Sequence, residues 1–130
     1  MLRLLSGSLV AVLALLALNA LAYGAFYLAD SAGGLREFGL DAAAGMGPGA
    51  LHLVSMVGIG LLGFAGFAVL AIVRLLRGDR SGVGVALVLG AVYLALGGYF
   101  AFSRNAVDAL IYGGFGVLVT VLAGVQRRAS

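Results

Sequence analysis

His52 is the sole histidine of the chain. An imidazole that titrates near neutral pH could relay a proton, hold a metal or sense acidity. A metal centre needs several such ligands. The chain has no cysteine, and no acid stands close to His52 in sequence, so neither a metal nor a cofactor is expected. A second concentration of polar groups surrounds Asp108, with Arg104 and Asn105 before it and Tyr112 one helical turn after it. The Asn-x-x-Asp spacing is that of a capping box, in which side chains satisfy the free N–H groups at a helix start, and Arg104 can pair with Asp108 at four-residue spacing. The functional alternative gathers His52, Arg104, Asn105, Asp108 and Tyr112 into one polar cleft that binds a ligand or senses pH.

Other polar residues are scattered through apolar runs: Asn19, Ser55, Tyr93 and Thr120. Hydrogen bonding between neighbouring helices is the simpler role for such groups, and lining the path of a small channel or carrier is the sharper one. The apolar runs contain no acid or base of the kind that pumps and ion-coupled carriers use. No serine has a base in plausible sequence context, no carboxylates are paired, and no HExxH helix occurs, so no enzyme is expected. Gly58-Ile59-Gly60-Leu61-Leu62-Gly63 fits the dinucleotide fingerprint letter for letter. That fingerprint works only where a strand turns into a helix with an exposed N-terminus, and this copy lies inside an uncharged run.

The elements that would carry these residues follow from composition. Apolar residues make up 63% of the 130 and charged residues 10%, well outside the soluble balance. The few charges leave long gaps, Leu4 to Ala29, Ala42 to Val73, Ser81 to Ser103 and Ala109 to Gln126. Each is long enough for a helix to cross a hydrocarbon layer of about 30 Å. The runs are continuous rather than alternating, which favours helices over a barrel. The expectation is an all-α polytopic membrane protein, a single up-and-down four-helix bundle with spans near 4–29, 50–74, 82–102 and 106–126 and a loop at 30–49. Arg3, Arg74, Arg77, Arg80, Arg127 and Arg128 fall on one side of such a bundle and only Arg36 and Arg104 on the other. The positive-inside rule then puts both termini in the cytoplasm. Tyr23, Phe26, Tyr27, Phe38, Tyr99, Phe100 and Phe102 gather at the opposite interface, where aromatic rings prefer to lie. The positive charge of +3 is explained by this topology, and no nucleic-acid partner is expected.

Arg3, the leucines after it and Ala20-Leu21-Ala22 resemble a secretory signal peptide, but the apolar run continues to Ala29, and a retained first span is expected. In the 30–49 loop, Leu35 to Asp41 form an amphipathic patch suited to a short interfacial helix. Pro48, the only proline, suits the first turn of span two. Of the 22 glycines, many lie inside spans, where small residues let backbones approach closely. Gly116, Thr120 and Gly124 form a ridge on span four; Ala86 with Gly90, and Gly97 with Ala101, do so on span three. Gly60, Gly63 and Gly66 notch span two. These faces serve either an internal contact or a homo-oligomer seam.

Two stretches, Gly49-Ala50-Leu51-His52-Leu53 and Asn105-Ala106-Val107-Asp108-Ala109-Leu110-Ile111, resemble the paired span-opening motifs of an uncharacterised family of small four-span bacterial and archaeal membrane proteins with DoxX-like layout. Ile111 stands where a second histidine would be expected. The resemblance covers spans two to four and implies topology, not activity.

Three functions remain in view for a multi-pass protein of the cell membrane or a viral envelope. The first is a non-enzymatic structural or accessory component whose partners are the bilayer and either a second copy or a larger membrane complex. The second is a small oligomeric channel or carrier, and the third is a binding or pH-sensing module around His52 and Asp108.

Overall fold

The computed structural model describes residues 2–37, 48–102 and 105–129. The chain is all-α: the described residues form the helices α1 (Leu2–Ala29), α2 (Ser31–Glu37), α3 (Pro48–Leu76), α4 (Ser81–Phe102) and α5 (Ala106–Ala129), with no strand among them. Four are long and apolar enough to cross a membrane, over Arg3–Ala29, Gly49–Leu76, Ser81–Phe102 and Ala106–Ala129. This is the helical inventory of the expected four-span, multi-pass membrane protein. Large apolar side chains also cover the outward surfaces, among them Leu15, Leu18, Val88, Leu110 and Val117. A helix apolar all round is at home in lipid.

Burial on each long helix repeats every three or four residues. Leu9, Leu13, Leu16 and Ala20 form the stripe on α1, and Val54, Leu61, Ala65 and Ala68 form it on α3. On α5 the stripe is Tyr112, Gly116, Val119 and Ala123. Two compact units divide the chain, one of Met1–Leu16 with Phe67–Ser130 and one of Ala17–Gly66.

In the Ala17–Gly66 unit, α1 and α3 run antiparallel. A Cβ added to Gly24 would lie 2.9 Å from the Gly58 carbonyl oxygen, and one added to Gly58 would lie 2.9 Å from that of Gly24. Backbones this close exclude any side chain between them. The short helix of this region starts earlier than the amphipathic pattern suggests, at Ser31 rather than near Leu35. Asp30 is the reason: its carboxylate accepts the Gly33 N–H at 2.9 Å and its carbonyl accepts the Gly34 N–H at 2.9 Å, so it caps a new helix directly after α1. Gly34 is buried because a Cβ there would meet the Tyr27 ring at 2.6 Å and Val54 at 2.7 Å. α2 is therefore packed into the unit through Gly34 and Leu35. Phe38 to Asp41 of the expected patch, with Gly45 and Gly47, lie outside the described residues.

The glycine notch expected at Gly60, Gly63 and Gly66 is not an internal contact. All three are exposed, and a Cβ on any of them would meet nothing within 4 Å. The α3 stripe that is buried, through Val54, Gly58, Leu61 and Ala65, lies on another face of the helix.

In the other unit, α3 ends in a Schellman motif. The Gly78 N–H donates to Leu75 O at 3.0 Å and the Asp79 N–H to Arg74 O at 2.9 Å, with Gly78 at φ 73°, a left-handed conformation that glycine adopts at no steric cost. Gly82 then brings α4 against α3, since its Cβ would lie 2.9 Å from Leu75 N and 3.0 Å from Ala71 O. The seam between α4 and α5 is also built on small residues. Gly97 faces Gly113, Gly116 faces Leu94, and Gly90 faces Thr120. The pairs run in opposite senses along the two helices, which are antiparallel. Ala86 is fully buried on α4. Gly124, expected in the same ridge as Gly116, has nothing within 4 Å of its Cβ position, while its neighbour Ala123 is fully buried.

Candidate functional site

The capping arrangement expected at the start of α5 is formed. The Asn105 side-chain oxygen accepts the Asp108 N–H at 3.2 Å, while the Asn105 Nδ2 donates to Asp108 Oδ2 at 2.8 Å. The Asn105 carbonyl begins the helical ladder by accepting the Ala109 N–H at 3.0 Å. Polar capacity at this end is thus directed into the helix start, beside the positive end of the α5 dipole. Arg104 lies outside the described residues.

Tyr112 is buried one turn further along α5, and its surroundings are aromatic. Its ring centroid is 5.2 Å from that of Phe100 in a stacked geometry and 5.4 Å from that of Tyr93, which also meets Phe115 edge-on at 6.3 Å. Such pairs fix ring orientations across the α4–α5 seam. His52 belongs to the Ala17–Gly66 unit, where its side chain is exposed one turn into α3.

Among the polar residues inside the spans, Ser55 is hydrogen-bonded. Ser55 meets Ser31 at 2.9 Å between hydroxyl oxygens and also reaches the Leu51 carbonyl at 3.2 Å. Ser31 in turn reaches the Tyr27 carbonyl at 3.0 Å. The hydroxyl pair links the α1–α2 corner to α3. Thr120 Oγ1 is buried without a hydrogen-bond partner among the described residues, held where a Cβ on Gly90 would otherwise sit. Asn19 is half-buried on α1.

Sequence reasoning used Arg3, Arg80 and Arg127 only to orient the spans. The structure places Arg3 and Ser6 of α1, Asp79 and Arg80 of the α3–α4 turn and Gln126 of α5 around one cleft of about 270 Å³, with Leu75, Gly78 and Val83 as its remaining walls. A second cleft of about 450 Å³ shares Arg80 and Val83 and adds Gly84 and Arg127. Gln126 Oε1 is buried with no hydrogen-bond partner among the described residues. The clustering of arginines at three separate span ends was the available signal; their convergence required the fold.

Among the described residues Asp79 is the only acid of this cleft, and it is hydrogen-bonded within its own turn. Its carboxylate accepts the Ser81 N–H at 2.9 Å, and Ser81 Oγ accepts from Arg74 Nη1 at 2.7 Å. The Ser81 hydroxyl first, then its backbone N–H, lower the Asp79 carboxyl from its ordinary value against an opposing desolvation, with a lesser contribution from the Arg74 charge. Among the described residues, Arg3, Arg80 and Arg127 line the two clefts against one carboxylate, Asp79, which leaves the surface basic.

Among the described residues no group of three or more His, Cys, Asp or Glu side chains could hold a metal ion. Comparison with protein-family models, with curated proteins and with solved structures finds no match for the chain.

Proposed function

We propose that this membrane protein is a non-enzymatic packing component that associates with a second copy of itself through the glycine-notched face of α3, with both termini in the cytoplasm. The observation that carries the reading is the exposed Gly60, Gly63 and Gly66, open to a depth at which Cβ atoms would touch nothing within 4 Å. Met56, Ile59 and Phe67 flank them and are exposed. Lipid gives helices no hydrophobic reason to associate, so close approach over small residues, with larger side chains interlocking beside them, is how spans find one another. Packing is favoured over permeation because Ser55 is hydrogen-bonded locally and Thr120 fills the space beside Gly90 in the α4–α5 seam.

The chain has no native cysteine, so cross-linking reads the proposal directly. With one cysteine introduced at a time in native membranes, Gly63→Cys should give a disulfide-linked dimer well before Val117→Cys on the outward face of α5. Equal cross-linking at the two positions would remove the self-association reading.

A further inference from the structure

We propose that the cleft between the start of α1, the α3–α4 turn and the end of α5 binds the phosphate of an anionic glycerophospholipid headgroup, with Arg3 and Arg80 as the phosphate ligands. This is independent of whether the α3 face finds a partner.

The case begins with position. Arg3 opens the first span, the turn between Leu76 and Ser81 joins two spans, and Gln126 lies in the last turns of the fourth. All are at span ends, the level at which phosphates of the bilayer lie. Basic pockets between spans on the cytoplasmic side are the places where anionic headgroups are held. The positive-inside expectation puts this end on that side.

Charge and geometry then narrow the ligand. Guanidinium groups reach the cleft from two elements distant in sequence, Arg3 and Arg80, and Arg127 lines the adjoining cleft that shares Arg80. Arginine presents planar paired donors that match phosphate oxygens, and is less strongly hydrated than lysine. The one carboxylate among the described lining residues, Asp79, already accepts from Ser81. The remaining polar walls are Ser6 and Gln126, side chains that exchange hydrogen bonds with hydroxyl groups. A headgroup that carries both a phosphate and hydroxyl groups, as phosphatidylglycerol does, matches this lining; a phosphocholine headgroup supplies neither net negative charge nor a donor. Leu75 and Val83 provide apolar wall for the glycerol backbone and first methylenes.

Free phosphate shares the anion chemistry, and the test separates the two. The full chain in neutral detergent is titrated with phosphatidylglycerol, with phosphatidylcholine and with inorganic phosphate, and bound lipid is counted by native mass spectrometry. Phosphatidylglycerol should bind with a stoichiometry of one and resist competition by inorganic phosphate. Arg3→Lys and Arg80→Lys keep the charges that orient the spans but lose the paired donors. Each should weaken binding by roughly five-fold, the scale of one lost hydrogen bond, while Arg36→Lys on α2 should not. A photoactivatable phosphatidylglycerol should label the wild-type chain near Ser6 or Gln126, a readout that needs no variant. Equal retention of phosphatidylcholine, full displacement by inorganic phosphate at comparable concentration, or labelling confined to other segments would each overturn the proposal.

Discussion

Gly97 on α4 and Gly113 on α5 meet backbone to backbone: a Cβ added to Gly97 would lie 2.5 Å from Gly113 Cα and 2.6 Å from its nitrogen. Neither atom belongs to a flexible side chain, so a single methyl group has to push two helices apart. The next residue, Gly98, is exposed, and a Cβ there meets nothing within 4 Å.

This contrast gives the first prediction. Gly97→Ala should destabilise the protein by about 2 kcal/mol, the scale of overpacking in a tight contact. Gly98→Ala should be neutral or slightly stabilising, since alanine is the better helix former. Reversible unfolding in mixed micelles, with helicity as the signal, compares the two. Equal effects would mean that the α4–α5 seam does not have this close approach.

The second prediction concerns the start of α5. Asn105→Ala removes both side-chain hydrogen bonds to Asp108 and should cost about 1 kcal/mol, as loss of a helix cap does. Asn105→Ser keeps an acceptor for the Asp108 N–H and should retain most of that. Hydrogen exchange over Ala106 to Leu110 should rise in the alanine variant and remain close to wild type in the serine variant.

The third prediction tests the link between Ser31 and Ser55. A double-mutant cycle with Ser31→Ala and Ser55→Ala should return a coupling of about 0.6 kcal/mol, typical of hydrogen bonds between spans. Additive single effects would show that the hydroxyls do not act as a pair.

The fourth follows from Asp79, whose carboxyl titrates below its ordinary value in the folded protein because of Ser81 and Arg74. A carboxyl depressed on folding contributes fully above its unfolded value, and the contribution disappears as pH falls through the depressed one. The turn should therefore remain intact through mild acid and weaken only below the usual carboxylate range. Ser81→Ala removes the hydroxyl and should move the titration upward, read by carbon NMR of the Asp79 carboxyl. An unmoved titration would contradict this account of the turn.

The spans were legible because a membrane demands length and continuous apolarity, and both are properties of a linear string. Local polar signals were legible for a similar reason. Asn105 and Asp108 are three residues apart, and Pro48 begins α3 as its fixed φ and missing N–H suggest. Which face of a span turns inward was harder to read. In water the polar side of a helix betrays its outer face, whereas in lipid both sides are apolar and only close inspection of small residues remains. Gly90, Gly97 and Gly116 lie in the seam, but Gly60, Gly63 and Gly66 have the same character and face outward. Gly24 and Gly58, the closest backbone contact of their unit, carry no local feature that sets them apart from the others. The basic clefts were illegible for a different reason: Arg3, Arg80 and Gln126 are separated by most of the chain, and convergence is a property of the fold.

Ser31 and Ser55 make three oxygen contacts, to each other, to Tyr27 O and to Leu51 O, yet two hydroxyls have only two protons to place. When Ser55 donates to Ser31, Leu51 O keeps only its donor from the helix ladder; when Ser31 donates to Ser55, Tyr27 O loses the Ser31 hydroxyl. The pair therefore admits two proton arrangements on one set of oxygen positions, as neighbouring molecules in ice do. It joins two segments of the unit, and a local electric field can reverse the dipole of the pair without moving a heavy atom.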